Sequence, residues 1–352
     1  MRFMHAGISQ ALLAAVLFGA STPLAKALVG ATSPLILAGL LYLGSGLGLI
    51  AWRALRRNSA SEAPPEAPLA RPDLPWLAGA VVVGGVIGPA LLMWGLISVQ
   101  GATASLLLNL EGVFTALIAW FVFRENFDAR IALGMGLIVA AGALLSWDGS
   151  ASVALPLGAL AVIGACLCWA IDNNLTRKVA AGDAVQIAAI KGLAAGSTNL
   201  VLGILLAGTL PPLVHAAGAL VLGFFGYGVS LVLFVLALRH LGTARTGAYF
   251  SVAPFAGALI AMLFFGERPG PWFWTAAGLM AAGVWLHLTE RHAHEHTHEP
   301  LRHAHRHVHD AHHPHAHDFE WDGIEPHAHE HVHAPITHAH PHYPDLHHRH
   351  RH

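Results

Sequence analysis

The sequence predicts an all-α polytopic membrane protein of ten transmembrane helices, built as two inverted five-helix repeats and followed by a disordered, histidine-rich tail. Three observations carry that prediction. Of 352 residues, 55% are hydrophobic and only 11% charged, against roughly 25% charged in a soluble domain. The apolar residues fall in runs near the roughly 20 that a helix needs to cross a bilayer. Second, one stretch recurs. QGATASLLLNLEGVFTALIAWFVFRE over 100–125 reappears as GTARTGAYFSVAPFAGALIAMLFFGE over 242–267, shifted by 142 positions (242 minus 100). Ala102, Ala116, Leu117, Ile118, Ala119, Phe123 and Glu125 fall on Ala244, Ala258, Leu259, Ile260, Ala261, Phe265 and Glu267. Two copies of an apolar segment, each closed by Phe-x-Glu, mark a duplicated chain. Third, of 27 histidines only His5, His215, His240 and His287 precede Arg291, so a net charge of −1 averages two different materials.

Taken in order, the apolar runs place helices at about 8–29, 33–52, 75–98, 101–123 and 129–147, then 155–176, 184–208, 213–238, 244–265 and 271–289. The first thirty residues, with Arg2 and an apolar core, have the shape of a signal peptide. They are read as a retained helix, because the first repeat is incomplete without it. Between the second and third helices, ALRRNSASEAPPEAPLARPD is a solvated linker. The other connections are short, so neighbouring helices pack antiparallel. The domain reading is a first repeat at 5–148, a second at 152–290 and a low-complexity cytoplasmic tail at 291–352.

Lys and Arg set the orientation. With the N-terminus in the cytoplasm, Arg2, Arg53, Arg56, Arg57, Arg71, Arg124, Arg130, Arg177, Lys178, Arg239, Arg245 and Arg291 lie inside, against Arg268 and at most Lys26 outside. Both chain ends are then cytoplasmic and the expected location is the inner membrane. An odd number of helices per repeat turns the second half upside down, the arrangement common in secondary transporters. Runs such as GLLYLGSGLGL (39–49) and GFFGYG (223–228) supply small residues for close helix packing.

An ionisable group at bilayer depth costs several kcal/mol unless it is paired or faces water, which makes each one a site candidate. Glu111, flanked by Asn109 near the middle of the fourth helix, is the strongest. It could bind a cationic group, exchange a proton or make a structural interhelical hydrogen bond. Asp172, Asn173 and Asn174 cluster in the sixth helix, and Lys191 stands at similar depth in the seventh. Asp172 and Lys191 are expected to pair or to share a cavity with substrate. Lys26 is read as a cavity residue or a snorkelling lysine. Asn199, Tyr249 and Ser251 are weaker candidates, Ser251 aligning with Asn109 in the duplication. Trp94, Trp120 and Trp169 could stack on a substrate ring, while Trp120 and Trp147 also suit the interfacial aromatic belt. Cys166 and Cys168 lie on nearly opposite sides of one helix and read as packing residues. The helices carry no Gly-rich phosphate loop and no Ser-His-Asp arrangement, so the chain is read as no enzyme.

FGASTPLAK in the first helix, with FVFREN and FFGERP closing the fourth and ninth, resembles the EamA family of the drug/metabolite transporter superfamily over about residues 5–290. The resemblance implies a ten-helix secondary transporter, usually an exporter of small polar metabolites, with a central cavity lined by helices one, three, four, six, eight and nine. Glu125 and Glu267 match the family's acidic helix ends, in a packing or a substrate role.

The tail repeats too, 298–317 mapping onto 333–352. Alternating His-x-His sets imidazoles where Zn, Ni, Co or Cu can be chelated, in competition with protons. The candidate ligands are His292, His294, His296, His298, His303, His305, His307, His309, His312 and His313, then His327, His329, His331, His333, His338, His340 and His342. No cofactor is required. The expected partners are the lipid bilayer, a small-molecule solute and divalent metal ions on the tail, with no nucleic acid and the chain a monomer or homodimer. Two readings follow: an exporter of a small polar metabolite or drug, or a transition-metal efflux or homeostasis protein whose tail collects the metal. A membrane-anchored metal sensor whose bundle no longer transports is a third.

Overall fold

The computed structural model describes residues 2–30, 32–57, 69, 71–123, 129–146, 156–176, 179, 183–207, 209–234, 236–237, 246 and 249–288, and four strands between 293 and 341. The helices are α1 (Arg2–Val29), α2 (Pro34–Arg57), α3 (Arg71–Gly95), α4 (Gly101–Leu107 continued by Leu110–Phe123) and α5 (Ala129–Ser146). In the second half they are α6 (Leu157–Thr176), α7 (Ala184–Ala207), α8 (Leu213–Phe234), α9 (Ala253–Phe265) and α10 (Pro271–Leu288). Among the described residues seven are long and apolar enough to cross a membrane: α1 to α4 and α6 to α8. α5 and α9 are shorter apolar helices, and α10 dilutes its apolar run with Trp272, Trp274 and Trp285.

Local chemistry sets the ends. Proline opens α2 and α10, where its missing N–H costs nothing. Asp183 caps α7, Oδ1 accepting from the backbone N–H of Val185 (2.9 Å) and Gln186 (3.0 Å). Its other oxygen meets Arg53 Nη1 at 2.8 Å, and α2 runs beyond its expected end near residue 52 to Arg57. Gly266, at φ 65°, stops α9 in the left-handed conformation open to glycine, and the Glu267 N–H turns back toward the Ala261 carbonyl (3.4 Å).

The packing is two-fold in pattern. α2 lies on α7 and α5 on α10, each helix against its own copy in the other half. α1 packs on α9 as α6 packs on α4; α3 packs on α6 as α8 on α1; α2 packs on α8 as α7 on α3. Exchanging the halves returns each of these pairings, as in a duplicated fold closed on itself. One contiguous core joins both halves, Leu37, Leu92 and Leu106 meeting Val162, Ala258 and Met280.

Local irregularities are duplicated as well. α3 carries a π-helical segment at Val81–Ile87, and α8 carries one at Phe224–Val229, so that Gly84 and Gly226 are equivalent under the 142-residue shift. α4 unwinds at Leu108 and Asn109, and the backbone turns likewise at Ser251 and Val252, before α9. The fourth and ninth helices are therefore each broken where continuous helices were expected. Such breaks persist only where side chains satisfy the released backbone groups.

α2 and α7 touch at backbone distance. A Cβ on Gly192 would stand 2.7 Å from the Gly46 nitrogen, and one on Gly196 would stand 2.5 Å from the Leu43 nitrogen. No side chain fits there without moving a helix. Gly192→Leu is expected to cut the monodisperse fraction after detergent extraction several-fold, by loss of van der Waals packing between small residues. Size-exclusion profiles of the variant beside Gly218→Leu, at an open position, check it.

The tail is less uniform than expected. β1 (Ala293–Thr297) pairs antiparallel with β4 (Thr337–Pro341), and β2 (Leu301–His307) with β3 (His327–His333). Disorder is expected of a tail that lacks apolar residues for a core, but its two-residue alternation is also the period of a strand.

Candidate functional site

The break in α4 places Glu111 in the first turn of its second segment, within the span and beside α6. Glu111 Oε1 accepts a hydrogen bond from Asn173 Nδ2 at 2.8 Å, and the same amide stands 3.4 Å from Thr115 Oγ1. Glu111 is half-buried and Asn173 exposed, so the pair lies outside the packed core and is accessible. One helical position back, Asp172 turns the other way. Its two oxygens lie 2.6 and 2.7 Å from Lys191 Nζ of α7, and Thr176 Oγ1 donates to Oδ1 at 2.8 Å. With side-chain exposures of 17% for Lys191 and 9% for Asp172, this is a largely desolvated ion pair, a setting in which each charge depends on the other.

The π segment of α3 completes the site. Its i→i+5 bonding, with the Gly88 N–H on the Val83 carbonyl, shifts the ladder and releases carbonyls, and side chains from three helices take them up. Tyr42 Oη of α2 (3.1 Å) and Trp169 Nε1 of α6 (2.9 Å) both donate to the Gly84 carbonyl, and Asn199 Nδ2 of α7 donates to the Gly85 carbonyl (3.0 Å). Gly84 itself abuts the Asp172 carboxylate, so a side chain there would displace the ion pair. Cys166 Sγ reaches the Leu107 carbonyl freed by the α4 break (3.5 Å). Both cysteines are free.

Other sequence candidates lie elsewhere. Asn109 donates to the Leu106 carbonyl (3.1 Å) and toward Met280 Sδ of α10 (3.7 Å). Two residues apart on a helix, Asn109 and Glu111 do not share a face. Asn174 bonds the Ala170 carbonyl of its own helix. Tyr249 and Ser251 are half-buried around the turn before α9. Trp94 is exposed and lines an apolar groove of about 450 Å³ with Pro34, Leu35 and Ile87, away from the polar cluster. Trp120 is exposed beside Phe121. Glu125, Trp147, His292, His298, His309, His312, His313 and His342 lie outside the described residues.

Lys26 and Glu267 clasp one turn. Lys26 Nζ donates to the carbonyls of Leu96 and, at 3.2 Å, Ile97, where α3 ends. Glu267 accepts from the first backbone N–H groups of α4, Gly101 and Ala102, at 2.8 Å each. A cation on the carbonyl end and a carboxylate on the N–H end each oppose a helix dipole. The Glu267 bonds also tie the second half to the first. Glu267→Ala is expected to cost about 1–2 kcal/mol, read as a lower unfolding temperature in detergent, with Glu267→Gln losing less.

The tail twice spells His-Glu-x-x-His, at His294–His298 and His329–His333. That motif works on a helix, where positions i and i+4 share a face; here 294–297 and 329–333 are strand. Among the described residues no group of three or more His, Cys, Asp or Glu is placed to hold a metal ion.

Apolar spans around an interior ion pair and a half-buried carboxylate define an all-helical, multi-pass membrane protein. Residues 5–147 and 156–289 each match the EamA-like transporter family, and the chain belongs to that family, one of transporters rather than enzymes. It is 27% identical over 277 residues to an "Uncharacterized transporter" of Methanothermobacter thermautotrophicus, covering 74% of this chain and 80% of that one. A 77-residue stretch is 39% identical to the "Probable 4-amino-4-deoxy-L-arabinose-phosphoundecaprenol flippase subunit ArnE" of Erwinia tasmaniensis, covering 21% of this chain and 68% of that protein. A solved structure described as "Crystal structure of protein" superposes with a TM-score of 0.58 at 20% identity, covering 79% of this chain and 95% of the other, a likeness of fold.

Proposed function

We propose that the chain is a secondary transporter of the inner membrane that exports a small polar metabolite or drug by alternating access. In this reading ten helices cross the bilayer as two inverted halves, with both chain ends in the cytoplasm. The observation that carries it is the cluster of Glu111, Asn173, Thr115, Asp172 and Lys191, gathered from α4 of one half and α6 and α7 of the other beside a broken helix. Interrupted helices between two repeats are where carriers of this kind hold solute. The ion pair and its hydrogen bonds stiffen the second-half wall, and Glu111 with Asn173 offers an accessible acceptor and donor. Counterflow in proteoliposomes across a panel of amino acids, nucleosides, organic cations and divalent metals tests it. Saturable exchange of at least one organic solute supports the reading, and exchange of none contradicts it.

A second reading, transition-metal efflux or homeostasis, rests on the tail. The strand register sets His303 opposite His331, His305 opposite His329 and His307 opposite His327, with His294 opposite His340 and His296 opposite His338. Directly opposed residues are the contact unit of an antiparallel pair, and imidazole suits Zn, Ni, Co and Cu. Deleting residues 291–352 discriminates: metal tolerance of the expressing cells collapses under this reading and barely changes under the first.

A further inference from the structure

The charge balance of the site, and the rings around it, narrow the solute. Among the described residues, the charged side chains set at least one helical turn inside the ends of the spans are Glu111, Asp172 and Lys191. Asp172 and Lys191 neutralise each other at 2.6 and 2.7 Å. Glu111 has only neutral hydrogen-bond company, the Asn173 amide and, through it, the Thr115 hydroxyl. The nearest lysine is already held by Asp172 and Thr176. Among the described residues Glu111 is therefore the interior carboxylate with no cation bonded to it, a group whose charged form a bound cation would stabilise.

A bare metal ion is a poor match for it. Hard or borderline cations collect several oxygen or nitrogen ligands. Here Asp172 is occupied by lysine, and Asn109 is turned to Leu106 and Met280. What adjoins Glu111 is aromatic. Trp169 lies one helical turn before Asn173 and shares the Gly84 carbonyl with Tyr42. From Tyr42 a run of half-buried rings continues through Tyr227 (centroids 5.5 Å apart) and Phe18 (6.0 Å) to Phe250 (5.5 Å) and Phe234 (4.8 Å). These rings come from α1, α2, α8 and the turn before α9, so both halves contribute. A ring face attracts a positive charge and accepts an apolar body.

We infer that the site takes an organic monocation, its charged nitrogen or phosphorus centre against Glu111 and its apolar body along Tyr42, Tyr227 and Phe18. The inference rests on the transporter reading and specifies its solute class. Anionic solutes are repelled by Glu111, and neutral ones leave its charge unmatched.

The test measures binding to the purified full-length protein in detergent, using tetraphenylphosphonium and the smaller phenyltrimethylammonium beside size-matched neutral and anionic probes, tert-butylbenzene and benzoate among them. Saturable binding of a cation at least tenfold tighter than its neutral counterpart is expected. Glu111→Gln should weaken it about tenfold or more, and Tyr227→Leu by about three- to tenfold. Tyr227→Phe, which keeps the ring, should bind like the unaltered protein. Should Glu111→Gln fail to fold, the selectivity of the unaltered protein and the Tyr227 pair still decide. Equal or tighter binding of the neutral or anionic probes overturns the inference. If counterflow meanwhile succeeds with a neutral or anionic solute, the transporter reading stands and only the solute class falls.

Discussion

Replacing Lys191 by Met is expected to destabilise the protein by about 3–5 kcal/mol, because it strands the Asp172 carboxylate in a largely dry wall. Among the described residues the carboxylate has no second cation, only the Thr176 hydroxyl. Asp172→Asn should cost a similar amount by stranding the lysine. The double variant Asp172→Asn/Lys191→Met removes both charges and should recover most of the loss, since a neutral pair no longer bears the cost of desolvation. Thermal unfolding of the four proteins in one detergent checks this. Additive losses in the double variant would mean that the two residues act separately, which their 2.6 Å contact contradicts.

Exchanging Glu111 for Gln should spare stability and abolish flux. Glutamine keeps an oxygen for the Asn173 amide, so the unfolding temperature should stay near that of the unaltered protein. Solute exchange in proteoliposomes should fall at least about tenfold, one lost charge–solute contact in a desolvated site being worth a factor of that order. Asp172→Asn/Lys191→Met makes the opposite comparison, keeping the Glu111 charge while the wall behind it softens. A Glu111→Gln protein that exchanges solute at the full rate would remove the carboxylate from the mechanism.

Much of this was legible in the residues. The recurrence of 100–125 at 242–267 foretold the duplicated packing but not the breaks, although these too are duplicated, Asn109 and Ser251 being equivalent in the two copies. Asp172 and Lys191 could be paired from depth alone, since two opposite charges in apolar helices have few ways to avoid each other. The partner of Glu111 was less legible. Asn109 is adjacent in sequence, but helical geometry turns it to the other face, and Asn173 is 62 residues away. The π segments were invisible. VVVGGVI reads as small-residue packing until Tyr42, Trp169 and Asn199 are seen to occupy its carbonyls, and that satisfaction is a tertiary property. Glu267 carried a weak signal, a Glu directly after the stop glycine of an apolar helix. Its target at Gly101 lies in the other half of the chain, beyond the reach of any local pattern.

The proposed carrier requires two like halves set upside down about a common polar interior. Single cysteines at Arg71, where α3 begins, and Thr209, just before α8, both exposed, test it in a background lacking Cys166 and Cys168. A membrane-impermeant maleimide applied to intact cells should label Thr209→Cys alone, and Arg71→Cys should react only in inside-out vesicles. Labelling of both positions from the same side would contradict the inverted arrangement.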